Sequence, residues 1–285
     1  MNYKLDDLLY LMKRLRHPDD GCAWDLKQTP NEIINHSIEE VYELVEAVEC
    51  GSIEEIKAEL GDVLFQVIFL SRIFEEDDKF CFGDIIHTLC EKLISRHPHI
   101  FIEGDLYSNS NSSDFNFDAD QVSENWEKIK LNERLGKNLN DFFADIPSAL
   151  PALSRAYKLQ KRAASVGFEF ESFQEVFLKL KEEVSELDEV LLKDDKENIY
   201  NKKNKIEEEL GDIFFSAVNL ARSLSINPEY LVRKANNKFI KRVDTILSIL
   251  SERDGINWQS SFDKISRKHL EKLWIEIKQK ELNDC

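Results

Sequence analysis

Carboxylates at helical spacing mark two stretches of this chain. Glu182, Glu183 and Glu186 form one group, and Glu209 with Asp212 forms the next. Residues three or four apart share a helical face, so each group presents its acids together. Two such helices side by side would crowd the carboxylates into a small volume, where like charges repel unless a cation neutralises them. Oxygen-only donors with room for water and phosphate oxygens suit Mg²⁺, with Mn²⁺ as the alternative. A Glu-rich stretch taken alone is ordinarily a solvated face. The second group resists that reading, because Asp212 runs into Ile213, Phe214, Phe215, Ala217, Val218 and Leu220, leaving Glu209, Asp212, Ser216 and Asn219 as a polar stripe. A polar stripe on a helix otherwise built for burial predicts a wet, lined cavity.

Further along, Lys238 and Arg242 stand four apart, as do Trp274 and Lys278. Arg offers a planar fork for phosphate oxygens, Lys a compact charge and Trp a face for a nucleobase. Acids for metal, bases for phosphate and an aromatic for a base together describe a site for a nucleotide polyphosphate.

The elements that must position these residues are helices. Apolar residues recur at three- and four-residue intervals, as in Phe177, Leu180, Val184, Leu187 and Leu191, and no run of strict alternation appears. An all-α fold follows. The chain also repeats itself. Glu59-Leu60-Gly61-Asp62 recurs as Glu209-Leu210-Gly211-Asp212, and Glu39, Glu40 and Glu43 are answered by Glu182, Glu183 and Glu186. Lys92 and Arg96 precede Trp126 and Lys130 just as Lys238 and Arg242 precede Trp274 and Lys278. Matched elements in one order indicate a tandem duplication, read as helical-bundle repeats over residues 1–136 and 137–285. Gly61 and Gly211 have two readings: each ends a helix, or each sits inside one to admit a close neighbour or ligand. The low-complexity stretch Ser108–Asp114 reads as an exposed loop.

Composition narrows the partners. With Lys+Arg 38 against Asp+Glu 55, the net charge of −17 leaves no basic field for long nucleic acids. No apolar run is long enough to span a membrane, and the amino-terminal residues lack a signal-peptide pattern, so the expectation is a soluble cytoplasmic protein. Five scattered cysteines without a C-x-x-C pair favour reduced thiols.

The pattern E-E-x-x-E followed by E-x-x-D, present in both repeats, resembles the all-α nucleoside triphosphate pyrophosphohydrolases of the MazG type. Gly21-Cys22-Ala23-Trp24-Asp25, Arg96-His97-Pro98-His99, Glu124-Asn125-Trp126-Glu127 and Val166-Gly167-Phe168 strengthen the resemblance, which covers essentially the whole chain. It implies Mg²⁺-dependent cleavage of a nucleoside triphosphate to a monophosphate and pyrophosphate, with broad base tolerance, homodimerisation and a role in nucleotide-pool control. On that reading Glu183, Glu186, Glu209 and Asp212 hold metal, and Glu182 orients or deprotonates the attacking water. Lys238, Arg242 and Lys278 stabilise the leaving pyrophosphate, and Trp274 stacks on the base. Lys205 and Asn219 join the nucleotide-binding set, since Glu55 and Phe69 stand at their positions in the first repeat. The second repeat is therefore expected to be the main catalytic unit. The first, with Glu39, Glu40, Glu43, Glu59 and Asp62, is expected to be structural, regulatory or differently selective. A non-enzymatic acidic scaffold or Mg²⁺-responsive binding protein is the competing class.

Overall fold

The computed structural model describes residues 2–107, 142–192, 199–253 and 265–283, with Val122, Trp126, Ile129 and Gly255. The predicted loop at Ser108–Asp114 and Lys130 lie outside the described residues. Among those residues the α-helices are α1 (Leu5–Leu15), α2 (Pro30–Cys50), α3 (Ile53–Glu76), α4 (Phe82–Arg96), α5 (Ala152–Ala164), α6 (Phe173–Leu192), α7 (Ile199–Ser223), α8 (Pro228–Glu252) and α9 (Arg267–Asn283), with no strand. No described helix is long and apolar enough to cross a membrane.

Local chemistry sets where the helices start. Thr29 precedes α2 with Pro30 at the first helical position, and its backbone N–H donates to Glu32 Oε2 at 2.8 Å. At α3, the Ser52 N–H donates to Glu55 Oε2 at 2.6 Å while the Glu55 N–H donates to Ser52 Oγ at 3.2 Å. These reciprocal bonds satisfy amide donors that a helix start leaves free. Only Gly51 and Ser52 separate α2 from α3, so the pair folds back as a hairpin. Asn227, whose Oδ1 accepts from the Tyr230 N–H at 3.1 Å, starts α8 in the same way, with Pro228 next.

The chain divides into two compact units, Met1–Gly136 and Lys137–Cys285. In the first, α1 and α4 pack on the α2–α3 hairpin around Met12, Ile33, Ile68, Phe69 and Ile73. Beside that core the buried Arg16 is held by Glu76, with Nη2 to Oε2 at 2.7 Å. In the second, α5 packs on the α6–α7 pair, and α8 with α9 closes a core of Ile246, Leu250, Leu273 and Ile277. The internal repeat survives in detail: the Arg242 guanidinium lies 5.3 Å from the centre of the Trp274 ring, and that of Arg96 lies 6.0 Å from Trp126.

Gly61 and Gly211 both lie inside helices, α3 and α7, so the helix-ending alternative is excluded. A Cβ added at either would meet nothing within 4 Å, so no neighbour among the described residues requires the glycine.

Candidate active site

The second unit's acids come from α6 and α7. Glu183 is buried at 6% exposure, where an unpaired carboxylate would be costly. Lys179, one turn earlier on α6, meets that cost with its Nζ 3.0 Å from Glu183, and it also reaches Glu182 at 2.7 Å. These two hydrogen-bonded carboxylates, Glu182 foremost, push the Lys179 pKa up. The α7 helix supplies Glu209 and Asp212, and one carboxylate oxygen from each of Glu183, Glu209 and Asp212 lies within 4.8 Å of the others. Glu186 sits one turn beyond Glu183, its pKa raised first by burial and then by the charge of Glu183, with Glu209 adding to the effect. A carboxyl held partly against ionisation by its neighbours is what a set of oxygen donors looks like without the cation that would relieve it. The residues present therefore fit a hard divalent cation.

Glu182 is placed differently from its neighbours. Its side chain is 57% exposed and bound to Lys179, outside the close carboxylate group.

Beside the acids lies a cavity of about 640 Å³ between α5, α6 and α7. Glu183, Asp212 and Lys179 form one part of its wall; Ser216 and Asn219 continue the α7 stripe; and Phe143, Phe168, Phe170 and Phe215 supply aromatic surface. The lined cavity expected from the polar stripe is thus present. Gly167, at φ +86, makes the left-handed turn that ends α5 and leads into Phe168. Arg222 also lines the cavity, paired with Glu169 at 2.9 Å.

The cationic and aromatic residues assemble elsewhere in the unit. Arg242 on α8 bonds Glu281 on α9, with Nε 3.1 Å from both carboxylate oxygens, and lies over the Trp274 ring. Arg242 holds the Glu281 carboxyl below its usual range, helped by the charges of Lys238 and Lys278. Lys238, Arg242, Trp274 and Lys278 are therefore one group around Glu281, and none of the four lines the cavity. Lys205 is exposed on α7, one turn before Glu209.

The first unit has its own acid group. One oxygen from each of Glu40, Glu43 and Glu59 lies within 4.8 Å of the others. The Glu59 pKa is raised first by burial, then by Glu43, Asp62 and Glu40, and its Oε2 is buried with no hydrogen-bond partner among the described residues. Glu39 faces outward against His36 at 3.2 Å.

Residues that sequence reasoning passed over also shape the site. Lys179 was signalled by its place one turn before Glu183. Gln160 was signalled by the recurrence of Leu11-Met12-Lys13-Arg14 as Leu159-Gln160-Lys161-Arg162, with a polar residue in the buried position. Glu281 carried no signal beyond its place one turn after Lys278.

Facing acidic helices, built once in each unit of a chain whose described residues hold helices and no strand, and joined in the second unit by an aromatic cavity, fit a metal-dependent hydrolase of the all-α class. The MazG nucleotide pyrophosphohydrolase domain matches residues 28–101 and 171–247, once in each unit. The chain is 36% identical over 280 residues to the nucleoside triphosphate pyrophosphohydrolase of Escherichia coli (strain K12), covering 98% of this chain and 99% of that one. It is 37% identical over 273 residues to the nucleoside triphosphate pyrophosphohydrolase/pyrophosphatase MazG of Thermotoga maritima, covering 96% and 95% of the two chains. A nucleoside triphosphate pyrophosphohydrolase of Mycobacterium tuberculosis matches over 166 residues at 34% identity, 58% of this chain and 46% of its own. The chain belongs to the MazG nucleotide pyrophosphohydrolase family.

Proposed function

We propose that the protein is a Mg²⁺-dependent nucleoside triphosphate pyrophosphohydrolase of the cytoplasm, acting on nucleotide pools with broad base tolerance, and that residues 137–285 form its main catalytic unit. The observation that carries this reading is the cavity lined by both Glu183 and Asp212 and by aromatic rings, large enough for a nucleotide. A solvated acidic scaffold would have no reason to set its carboxylates at the mouth of such a cavity.

In this mechanism Glu183, Glu209 and Asp212 hold the cation, with Glu186 beside them. When bound, Mg²⁺ screens phosphate charge and acidifies water. Glu186, one turn beyond Glu183 and beside the acid group, is placed to accept the proton of the attacking water. This moves the base assignment from Glu182, which is committed to Lys179. Lys179 holds the buried Glu183 in an ion pair and so orients it inside the protein. Phe168 and Phe170 stack on the base in the place first given to Trp274, whose ring is covered by Arg242. Lys238, Arg242 and Lys278 bind phosphate oxygens of substrate or leaving pyrophosphate; Arg242 already forks around a carboxylate.

The functional form is a homodimer. Val184, Leu191, Leu210 and Phe214 on α6 and α7 are exposed, as are Val41, Val48, Leu60 and Leu64 on α2 and α3, an apolar surface that a lone chain would leave in water. Light scattering should give twice the chain mass; a monomer would remove this element. The activity itself is tested by incubating the protein with Mg²⁺ and each common triphosphate. Monophosphate plus pyrophosphate is the expected product pair, and diphosphate plus orthophosphate would overturn the reading.

A further inference from the structure

Two amide side chains line the same cavity, and each has one end already committed. Gln160, on α5, is 7% exposed, and its Nε2 donates to the backbone carbonyl of Phe215 at 2.8 Å. That bond leaves Oε1 as the other end, a buried acceptor with no partner among the described residues. A buried acceptor without a partner is uncommon in a folded protein and calls for an explanation. Asn219 stands one turn after Phe215 on α7. Its Oδ1 accepts from Arg222 Nε at 3.0 Å, and Arg222 is itself fixed by Glu169 at 2.9 Å. With Oδ1 engaged, Nδ2 is the end of the Asn219 amide that can donate. Gln160 reaches across from α5 to the Phe215 carbonyl, one turn before Asn219 on α7, and both amides line the cavity that carries Phe168, Phe170 and Phe215.

We propose that Gln160 Oε1 and Asn219 Nδ2 act as an acceptor–donor pair that reads the hydrogen-bonding edge of the nucleobase. The proposal rests on the reading of this cavity as a nucleotide site. The pair asks only for a donor beside an acceptor. Adenine and cytosine meet that demand with an amino group next to an unprotonated ring nitrogen, and guanine, uracil and thymine with a ring N–H next to a keto oxygen. Every common base satisfies the pair, while stacking on the phenylalanines is indifferent to base identity. Base tolerance here is the acceptance of a shared pattern, and the pocket selects against a base whose edge has lost its donor. Such a base would strand the Gln160 oxygen away from water.

The experiment compares ATP with purine riboside 5′-triphosphate, which lacks only the 6-amino donor, on the intact chain with Mg²⁺. The expected result is a kcat/KM lower by roughly ten- to a hundredfold for the purine riboside compound, with monophosphate and pyrophosphate from both. Equal values with those same products would overturn this inference and leave the proposed function standing. If neither compound is hydrolysed, the proposed function fails, and the Kd values of the two triphosphates measured by calorimetry decide the inference alone: a matching preference for ATP supports it, and equal affinities overturn it. Gln160→Met, which installs the residue found at the matching place in the first unit, should bring the ATP to purine riboside ratio close to one. A ratio that survives in this variant would overturn the assignment to Gln160.

Discussion

The α2–α3 hairpin of the first unit and the α6–α7 pair of the second carry the same acids in the same order, yet their surroundings have opposite character. Phe69 is fully buried, packed with Met12 and Ile68, and the Arg16 guanidinium lies 5.4 Å from the centre of its ring. At the matching places the second unit has Asn219 and Gln160, and a cavity of about 640 Å³ stands beside them. Gln66 extends this contrast: its Nε2 donates to Glu40 at 3.3 Å, whereas Ser216 at the same register leaves room on the cavity wall. A pocket described in the first unit lies between α1, α3 and the start of α4, and Glu40, Glu43 and Glu59 are not part of it. The acids alone therefore do not distinguish the two units. The volume next to them does, and Asn219, Gln160 and Ser216 line it where Phe69, Met12 and Gln66 stand in the first unit.

The widest separation between the units should come from the acids themselves. Glu183→Gln or Asp212→Asn should lower turnover by about a thousandfold or more in a pyrophosphate-release assay, because each removes a charge from the group suited to the cation. Glu40→Gln and Asp62→Asn should leave turnover within about twofold; an equal loss from both pairs would erase the comparison. Exchanging the cavity residues probes volume. Asn219→Phe, which writes the first unit's core residue into the second, should reduce kcat/KM by about a hundredfold while the chain remains folded. The reciprocal Phe69→Asn should destabilise the first unit by about 3–5 kcal/mol, since it leaves a void and a buried amide, and urea unfolding would measure this. A gain of stability there would mean that Phe69 is not a core residue.

Smaller effects follow from the cation and the glycines. Added Mg²⁺ should raise the melting temperature by a few degrees by mass action, less so in Glu183→Gln, as scanning calorimetry would record. No shift in the native chain would count against a cation at either acid group. Gly61→Ala and Gly211→Ala each place a Cβ in open space inside a helix and should stabilise the chain by about 0.5–1 kcal/mol. Destabilisation by either would show that something outside the protomer packs against that glycine.

Much of this was legible in the sequence because helical period and charge are local properties. The spacing of Glu183, Glu209 and Asp212 encoded their convergence, and the stripe through Ser216 and Asn219 encoded a lined cavity. The change from Phe69 to Asn219 already separated the repeats. What local pattern could not carry was pairing across helices. Gln160 looks like a solvated residue in a basic helix until α5 is laid on α7. Glu182 and Glu183 are adjacent and chemically identical, and only the packed structure turns one outward and the other in. Trp274 offered a free face in sequence; Arg242 covers it once α8 and α9 meet.

The pairing of Arg242 with Glu281 has a consequence for how the cationic group meets an anion. A bare guanidinium is served by mobile counterions, and a phosphate that displaces them binds more weakly as salt rises. Here the occupant is tethered to the next helix, so an incoming anion exchanges with part of the protein and releases few ions to solution. Capture at this group should therefore depend only shallowly on ionic strength, and it should turn Glu281 out toward water each time an anion takes its place.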